Sequence, residues 1–247
     1  MGFIVRLRRL SGDKPVGMKL CVGHRWEFLA ICKAMLETGI YPDFIVIDGN
    51  EGGTGAAPLE FADHVGTPLR EGLVLARNCL EGAGLRDSVR LGASGRLITA
   101  FDMARVLALG ADWCNSARGF MFALGCIQSQ HCHTDRCPSG VATQNPLRQR
   151  ALVVPDKAER VRRFHNNTLA ALGELAGAAG LGHPGELRPE LVLRRISATQ
   201  VRSFAEIYPR LMPGELLSGA RDPYYEANWN LADPGSFLPR TLTRTAA

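Results

Sequence analysis

The residues Phe44-Ile45-Val46-Ile47-Asp48 are apolar without a break and end on an acid. A strand with one wet face alternates apolar and polar side chains, so an unbroken run needs apolar cover on both faces, the condition of a strand inside a parallel sheet. A parallel neighbour cannot be reached by a hairpin, and the chain must cross back over the sheet, usually through a helix. The surrounding sequence has that rhythm. Pro15 to Val22 reads as a short strand with Lys19 at its open end, and Trp26 to Thr38 places Phe28, Leu29, Ile31, Cys32, Met35 and Leu36 at helical spacing, with Gly39 as the stop.

Beyond the run, Pro68 to Gly82 reads as a helix with Leu69, Leu73, Leu75, Ala76 and Leu80 on its inner face. Val89 to Gly95 is a strand and turn, and a helix from about Thr99 to Leu109 opens on an approximate capping box of Thr99 and Asp102. Ala111 to Arg118 is a fourth strand, Gly119 to Gln130 a short apolar helix, and Asp156 to Gly180 a long amphipathic one. Four βα units at near-even spacing predict an α/β fold around a parallel sheet, open or curled into a barrel. A whole eight-unit barrel takes about 250 residues, and four units already occupy most of these 247, so a whole barrel does not fit.

The ends are less regular. Residues 1–13 show no periodicity and read as a leader. Arg194 and Arg195 are expected on a solvated helix face. From Leu211 onward, prolines and glycines interrupt every period, so 210–247 reads as an irregular extension, docked or loose, whose Tyr224, Tyr225 and Trp229 either mark a partner surface or, the preferred reading, pack on the body. The net charge of +5 draws on arginines near both ends, and no aromatic-interleaved basic patch accompanies it, which argues against nucleic acid. No apolar run approaches the roughly 20 residues of a membrane span. Seven cysteines, an odd count with no export signal ahead of them, read as reduced thiols in a cytoplasm.

Three of those cysteines, Cys126, Cys132 and Cys137, are separated by five and four residues, with Pro138 after the last. Loops of that length can turn sulfurs toward one soft inorganic centre; the spacing serves an iron-sulfur cluster or, with His131 and His133 beside Cys132, a zinc ion equally well. Glycine turns after strands present backbone N–H groups to phosphates, and two such turns occur, at Ser94-Gly95-Arg96 and Asn115-Ser116-Ala117-Arg118. Lys19 is either a rim charge or a cation pointed into the mouth of the sheet. Gly52, Gly53 and Gly55 permit close approach to a flat ring, or form a plain surface loop.

Two stretches carry a resemblance. Gly125-Cys126 through Cys137-Pro138-Ser139-Gly140-Val141-Ala142-Thr143-Gln144 resembles the iron-sulfur loop of the glutamate synthase family, and Asp48 to Pro58, with Gly52-Gly53-Thr54-Gly55-Ala56 at its centre, resembles that family's loop beside the flavin. The likeness is specific from about Lys14 to Arg150, looser to about Pro209, and greatest to stand-alone synthase-domain proteins without a fused glutaminase. It implies that the four strands are strands five to eight, so that 14–209 forms the C-terminal half of a TIM-type (β/α)8 barrel.

The resemblance further implies FMN, with its phosphate on Ser94, Gly95, Arg96, Asn115, Ser116, Ala117 and Arg118, its ring beside Gly52, Gly53, Thr54 and Gly55, and Lys19 as a cofactor-binding and catalytic cation. It implies a [3Fe-4S] cluster on Cys126, Cys132 and Cys137, with His131 and His133 outside the ligand set. The implied reaction is transfer of hydride from reduced FMN to 2-iminoglutarate, formed from 2-oxoglutarate and ammonia, giving L-glutamate. Its partners would be an ammonia or glutamine source, an electron-donor subunit or ferredoxin, and a chain carrying the missing half-barrel. The alternatives are an N-methylglutamate-synthase-type subunit and a non-catalytic half-barrel that assembles with another chain.

Overall fold

The computed structural model describes residues 1–52, 57–58 and 60–240. Helix α1 (Gly2–Leu10) precedes strand β1 (Gly17–Leu20), and α2 (Arg25–Thr38), β2 (Phe44–Asp48), α3 (Leu69–Gly82), β3 (Arg90–Ser94), α4 (Ala100–Ala108) and β4 (Trp113–Asn115) follow. Local chemistry sets these boundaries. The His24 N–H donates to Glu27 Oε2 at 2.8 Å to start α2, and Gly39 ends it with φ +65°. Thr99 and Asp102 exchange hydrogen bonds at the start of α4, the capping box expected from the sequence.

The four strands form one parallel sheet in the order β1-β2-β3-β4. Each crossover steps to the adjacent strand in the same direction. That places the crossover helices on one face, as in a barrel wall; a doubly wound sheet reverses its order at a switch point. Accordingly α3 packs on β2 and β3, and α2 packs beside α3. Phe28, Leu29 and Met35 of α2, Leu73, Ala76 and Leu80 of α3, and Ile45, Ile47, Leu91 and Ala93 of the strands share one core, most of them without exposed surface. This is a four-stranded portion of a barrel wall, the partial barrel expected.

The opposite face is occupied differently. Phe44 and Trp113 meet edge to face, with centroids 5.6 Å apart. Their rings lie across the neighbouring strands because Gly17 and Gly92 have no side chains: a Cβ on Gly92 would stand 2.6 Å from the Trp113 ring, and one on Gly17 would overlap Phe44.

Helix α5 (Arg118–Leu124) leads into the cysteine loop, which ends near the short α6 (Pro146–Gln149). The long α7 (Val154–Ala178) packs on α4 and α5, with Leu172 against Ala100, Met103 and Ala104. Helix α5 stops at Gly125 (φ +102°), five residues before the expected end, because Gln128 and Gln130 also take positive φ and cannot continue a right-handed helix.

Three expectations for the ends need correction. Residues 2–10 form a helix: Phe3, Leu7 and Leu10 stand at helical spacing, and Arg8 ties the helix to the Tyr41 carbonyl and the Asp43 carboxylate, both at 2.9 Å. Arg194 and Arg195 lie on strand β5 (Leu193–Arg195), antiparallel to β6 (Val201–Ser203), and not on a helix; their pairing partners, Arg202 and Val201, belong to another element and are invisible to a helical period. Residues 210–240, which follow α8 (Phe204–Ile207), are not irregular throughout, since they carry helix α9 (Pro223–Leu231). Phe204, Leu211, Leu216, Tyr225 and Ala232 enter the same core as α3, and buried Asn78 donates to the Pro209 carbonyl (2.9 Å) and the Tyr225 hydroxyl (3.0 Å). Tyr225 and Trp229 pack onto the body as expected, Trp229 under Lys33 at 4.7 Å.

Phe204 has 1% of its surface exposed. Phe204→Ala is expected to cost about 3–5 kcal/mol of stability, read from the urea midpoint of the full chain in a single transition. A change below the error of that measurement would show that the C-terminal segment is not part of the cooperative core.

Candidate functional site

Register assigns side chains to faces. Lys19, Val46, Gly92 and Trp113 occupy one row across the sheet, and Asp48, Ser94 and Asn115 lie two residues further along their strands. Because side chains alternate at every residue, both rows point the same way, away from Ile45, Ile47, Leu91 and Ala93 and hence away from the helices. Three of the sequence-predicted residues, Lys19, Ser94 and Asn115, therefore share one face, at the C-terminal ends of three strands.

Within that group Lys19 Nζ lies 2.8 Å from Asp48 Oδ2, with half of the lysine side chain exposed. Asp48 is a site residue to which the sequence reading gave no role. Its signal was present, an acid two residues beyond the position that pairs with Lys19 on the adjacent strand. Ser94 is buried, and its carbonyl accepts the Gly49 N–H at 2.9 Å. Gly95 (φ +133°) packs against Gly49, where an added Cβ would stand 3.1 Å from the Gly49 nitrogen. Arg96 (φ +45°) directs its guanidinium to Asp63 at 2.6 Å, tying the turn after β3 to the loop after β2. Glu51, also without an assigned role in the sequence reading, accepts the Leu69 N–H at 2.9 and 3.1 Å and caps α3 from across the loop.

The two turns differ in what they leave available. The first N–H groups at α4 are engaged by Thr99 and Asp102, so the first turn's remaining donors are those of Gly95 and Arg96. At α5 the N-cap is Ala117, which has no side chain to accept from the helix. Asn115 Oδ1 accepts the Trp113 indole N–H at 3.1 Å, Ser116 Oγ donates to the Leu97 carbonyl at 2.7 Å, and Arg118 is the first residue of α5. Gly52 turns the chain by donating to Gly49, and a Cβ there would stand 2.6 Å from Asp48 Oδ1. Gly53, Thr54 and Gly55 lie outside the described residues.

The cysteine loop is arranged around individual sulfurs. Gln128 N–H approaches Cys126 Sγ at 3.5 Å, and Ser139 Oγ lies 3.4 Å from Cys137 Sγ. Burial raises the Cys137 thiol, but the hydrogen bonds from Ser139 Oγ and the N–H groups of Ala142, Ser139 and Val141 outweigh it and hold the thiol down at about 7. The Asp135 carboxylate, held below its usual range by the Gln144 N–H and then by the Thr143 hydroxyl, closes the loop on itself. Among the described residues no three His, Cys, Asp or Glu side chains are gathered closely enough to hold a metal ion, so Cys126, Cys132 and Cys137 share a loop without forming a ligand set.

Comparison with known proteins bears on residues 1–182, which match the family model described as a conserved region in glutamate synthase. The chain belongs to the glutamate synthase family. It is 45% identical over 195 residues to the glutamate synthase large subunit-like protein YerD of Bacillus subtilis (strain 168), covering 79% of this chain and 37% of that protein. It is 36% identical over 175 residues to the archaeal glutamate synthase [NADPH] of Methanocaldococcus jannaschii, covering 71% and 34%. The chain thus spans about a third of the length of these two relatives. Among solved structures, a flavocytochrome b2 with benzoylformate aligns over 90% of this chain and 43% of its own, at 15% identity and a TM-score of 0.47, too slight a likeness to support an inference. The family match contains every candidate residue from Lys19 to Cys137 and ends before the C-terminal segment that completes the core.

Because the Cys137 thiol stands below its ordinary value near 9, its thiolate's contribution to stability is complete above that value and is lost as pH falls through about 7. Alkylation of the metal-free chain, followed peptide by peptide, is expected to show Cys137 half-reactive near pH 7. Ser139→Ala should move that midpoint up toward 9; an unmoved midpoint would show that the hydroxyl does not hold the thiolate.

Proposed function

We propose that this chain supplies one wall of an FMN-dependent, glutamate-synthase-type site. The observation that carries this reading is the common face of Lys19, Asp48, Ser94 and Asn115 at the C-terminal ends of the strands, the end at which parallel α/β barrels place their chemistry. The residues fit FMN. Gly95, Arg96 and the turn at Ala117, whose side chain makes no cap, offer backbone suited to a phosphate, the Gly49–Gly95 contact leaves no side chain between the two loops, and Lys19 offers a positive charge suited to an electron-rich ring.

When bound, FMN would supply hydride to 2-iminoglutarate, formed from 2-oxoglutarate and ammonia, to give L-glutamate. The chain's own residues prepare that chemistry: Asp48 fixes the Lys19 ammonium at the rim, Trp113 orients Asn115, and the Arg96–Asp63 pair holds the loop after β2 over the same end of the sheet. Cys126, Cys132 and Cys137 are the proposed ligands of the family's [3Fe-4S] cluster. As placed they do not fit a shared centre; Cys137 has its thiolate already stabilised, and no electron step is drawn through them. The nitrogen source and the electron donor, a subunit or a ferredoxin, belong to the same proposal.

The sheet's outer edges favour a second component. Among the described residues β1 pairs only with β2 and β4 only with β3, so one side of each presents unpaired backbone groups. We infer that the remaining walls of the flavin site come from further βα units, on a longer chain or a partner.

Purification under anaerobic conditions, with flavin, iron and zinc quantified, tests both cofactors. The chain alone is expected to contain iron, to lose it in Cys132→Ser, and to release FMN on gel filtration, since flavin sites normally enclose about 70–90% of the ligand. With the missing units supplied, FMN should be retained and chemically reduced enzyme should convert 2-oxoglutarate and ammonia to L-glutamate. Stoichiometric zinc without iron would overturn the cluster assignment. A monomer of the chain alone that keeps stoichiometric flavin would overturn the shared-site reading.

A further inference from the structure

A polar cavity lies at the other end of the sheet. It has a volume of about 420 Å³ and is lined by Arg77, Arg86, Arg188, Arg210, Asp112 and Glu190, among others. Asp112 lies just before β4 and Arg77 in the C-terminal half of α3, so the cavity is at the N-terminal ends of the strands, away from Lys19, Asp48, Ser94 and Asn115. Four guanidinium groups face two carboxylates, and the carboxylates are not evenly shared.

Arg86 is fully engaged: it donates to the Val89 and Gly110 carbonyls at 3.1 Å and to Asp112 at 2.9 Å. Asp112 also accepts the Leu91 N–H at 2.7 Å and approaches Arg90, so it has little left for other cations. Arg77 is held differently. Its stem crosses Gly110, where a Cβ would overlap it, and among the described residues its single ion pair is to Glu81 at 3.5 Å. Among the same residues its buried Nε has no acceptor. Burial first, and then the positive charge of Arg210, pull the Arg77 guanidinium down to about 10, with Glu81 and Asp112 opposing. Arg188 and Arg210 are exposed and make no ion pair among the described residues. A buried guanidinium with one unsatisfied nitrogen and a single long ion pair, beside further cations, is costly to fold, and a nearby anion offsets that cost.

We propose that this cavity binds a small, multiply charged oxyanion, bearing phosphate or carboxylate groups, through Arg77, Arg188 and Arg210. Its volume is that of a small-molecule site, and guanidinium forks match the paired oxygens of both groups. Arg188 and Arg210 lie beyond the residues matched by the glutamate synthase family model, so the site is built where the C-terminal segment docks on α3 and α4. It stands independently of the flavin reading.

The test is titration of the full chain at low ionic strength with pyrophosphate and, separately, with citrate, followed by calorimetry and thermal unfolding. At least one anion is expected to saturate a single site and raise the unfolding temperature; which one does so distinguishes phosphate from carboxylate recognition. The exposed pair Arg188→Gln/Arg210→Gln should keep its circular dichroism and weaken that anion about a hundredfold, roughly tenfold for each charged donor lost. Arg162→Gln/Arg163→Gln on α7 controls for loss of general positive charge and should bind as the unaltered chain does. Absence of saturable binding by both anions, unchanged affinity in the cavity variant, or equal loss in the α7 control would overturn the proposal.

Discussion

Parallel pairing of β1 to β4 in sequential order governs the rest of this structure. Once Ile45 and Ile47 are committed to the helices, alternation forces Val46 and Asp48 to the other face, and the register carries that choice to Lys19, Gly92, Ser94, Trp113 and Asn115. The hydrophobic core and the polar rim are consequences of one constraint. A slip of one residue in β2 would place Asp48 among Leu73 and Leu80 and remove the partner of Lys19.

The same constraint separates two charged regions by end. At the C-terminal ends the charges come in local pairs, Lys19 with Asp48 and Arg96 with Asp63, which position side chains with little cost because they remain partly wet. At the N-terminal ends the guanidinium groups of Arg77 and Arg86 are nearly enclosed, and only Arg86 is fully satisfied. Enclosure is what gives the second region its bias toward an anion. It results from the C-terminal segment, which brings Arg188, Glu190 and Arg210 over the ends of α3 and α4.

The cysteine loop obeys shorter-range forces. Asp135 gathers Gln144 and Thr143, and Ser139 with its neighbouring N–H groups gathers the Cys137 sulfur, so the loop is ordered by turns around its own polar atoms. Among the described residues Cys126, Cys132 and Cys137 are not gathered into one group that could hold a metal ion. Metal coordination is itself a folding force for such loops, and spacing alone states only what the sulfurs are able to reach.

The βα rhythm, the caps and the strand ends are legible in the sequence because each depends on residues within a turn or two: the apolar run at Phe44 to Asp48, Thr99 with Asp102, Gly39 after α2. The sequence also placed Lys19, Ser94 and Asn115 at the ends of strands. The family's glycine-rich and cysteine motifs were legible for the same reason, as short contiguous patterns. The helix at Gly2–Leu10 has its signal in the spacing of Phe3, Leu7 and Leu10. Only the tertiary structure decided the Lys19–Asp48 pair, the cap that Glu51 makes on α3, the β5–β6 pairing and the burial of Phe204 and Tyr225 in the main core. Each of those joins residues distant in the chain or on different elements, and periodicity carries no information about which elements meet; that is fixed by the sheet register and by the shape of the surface left for the C-terminal segment to cover.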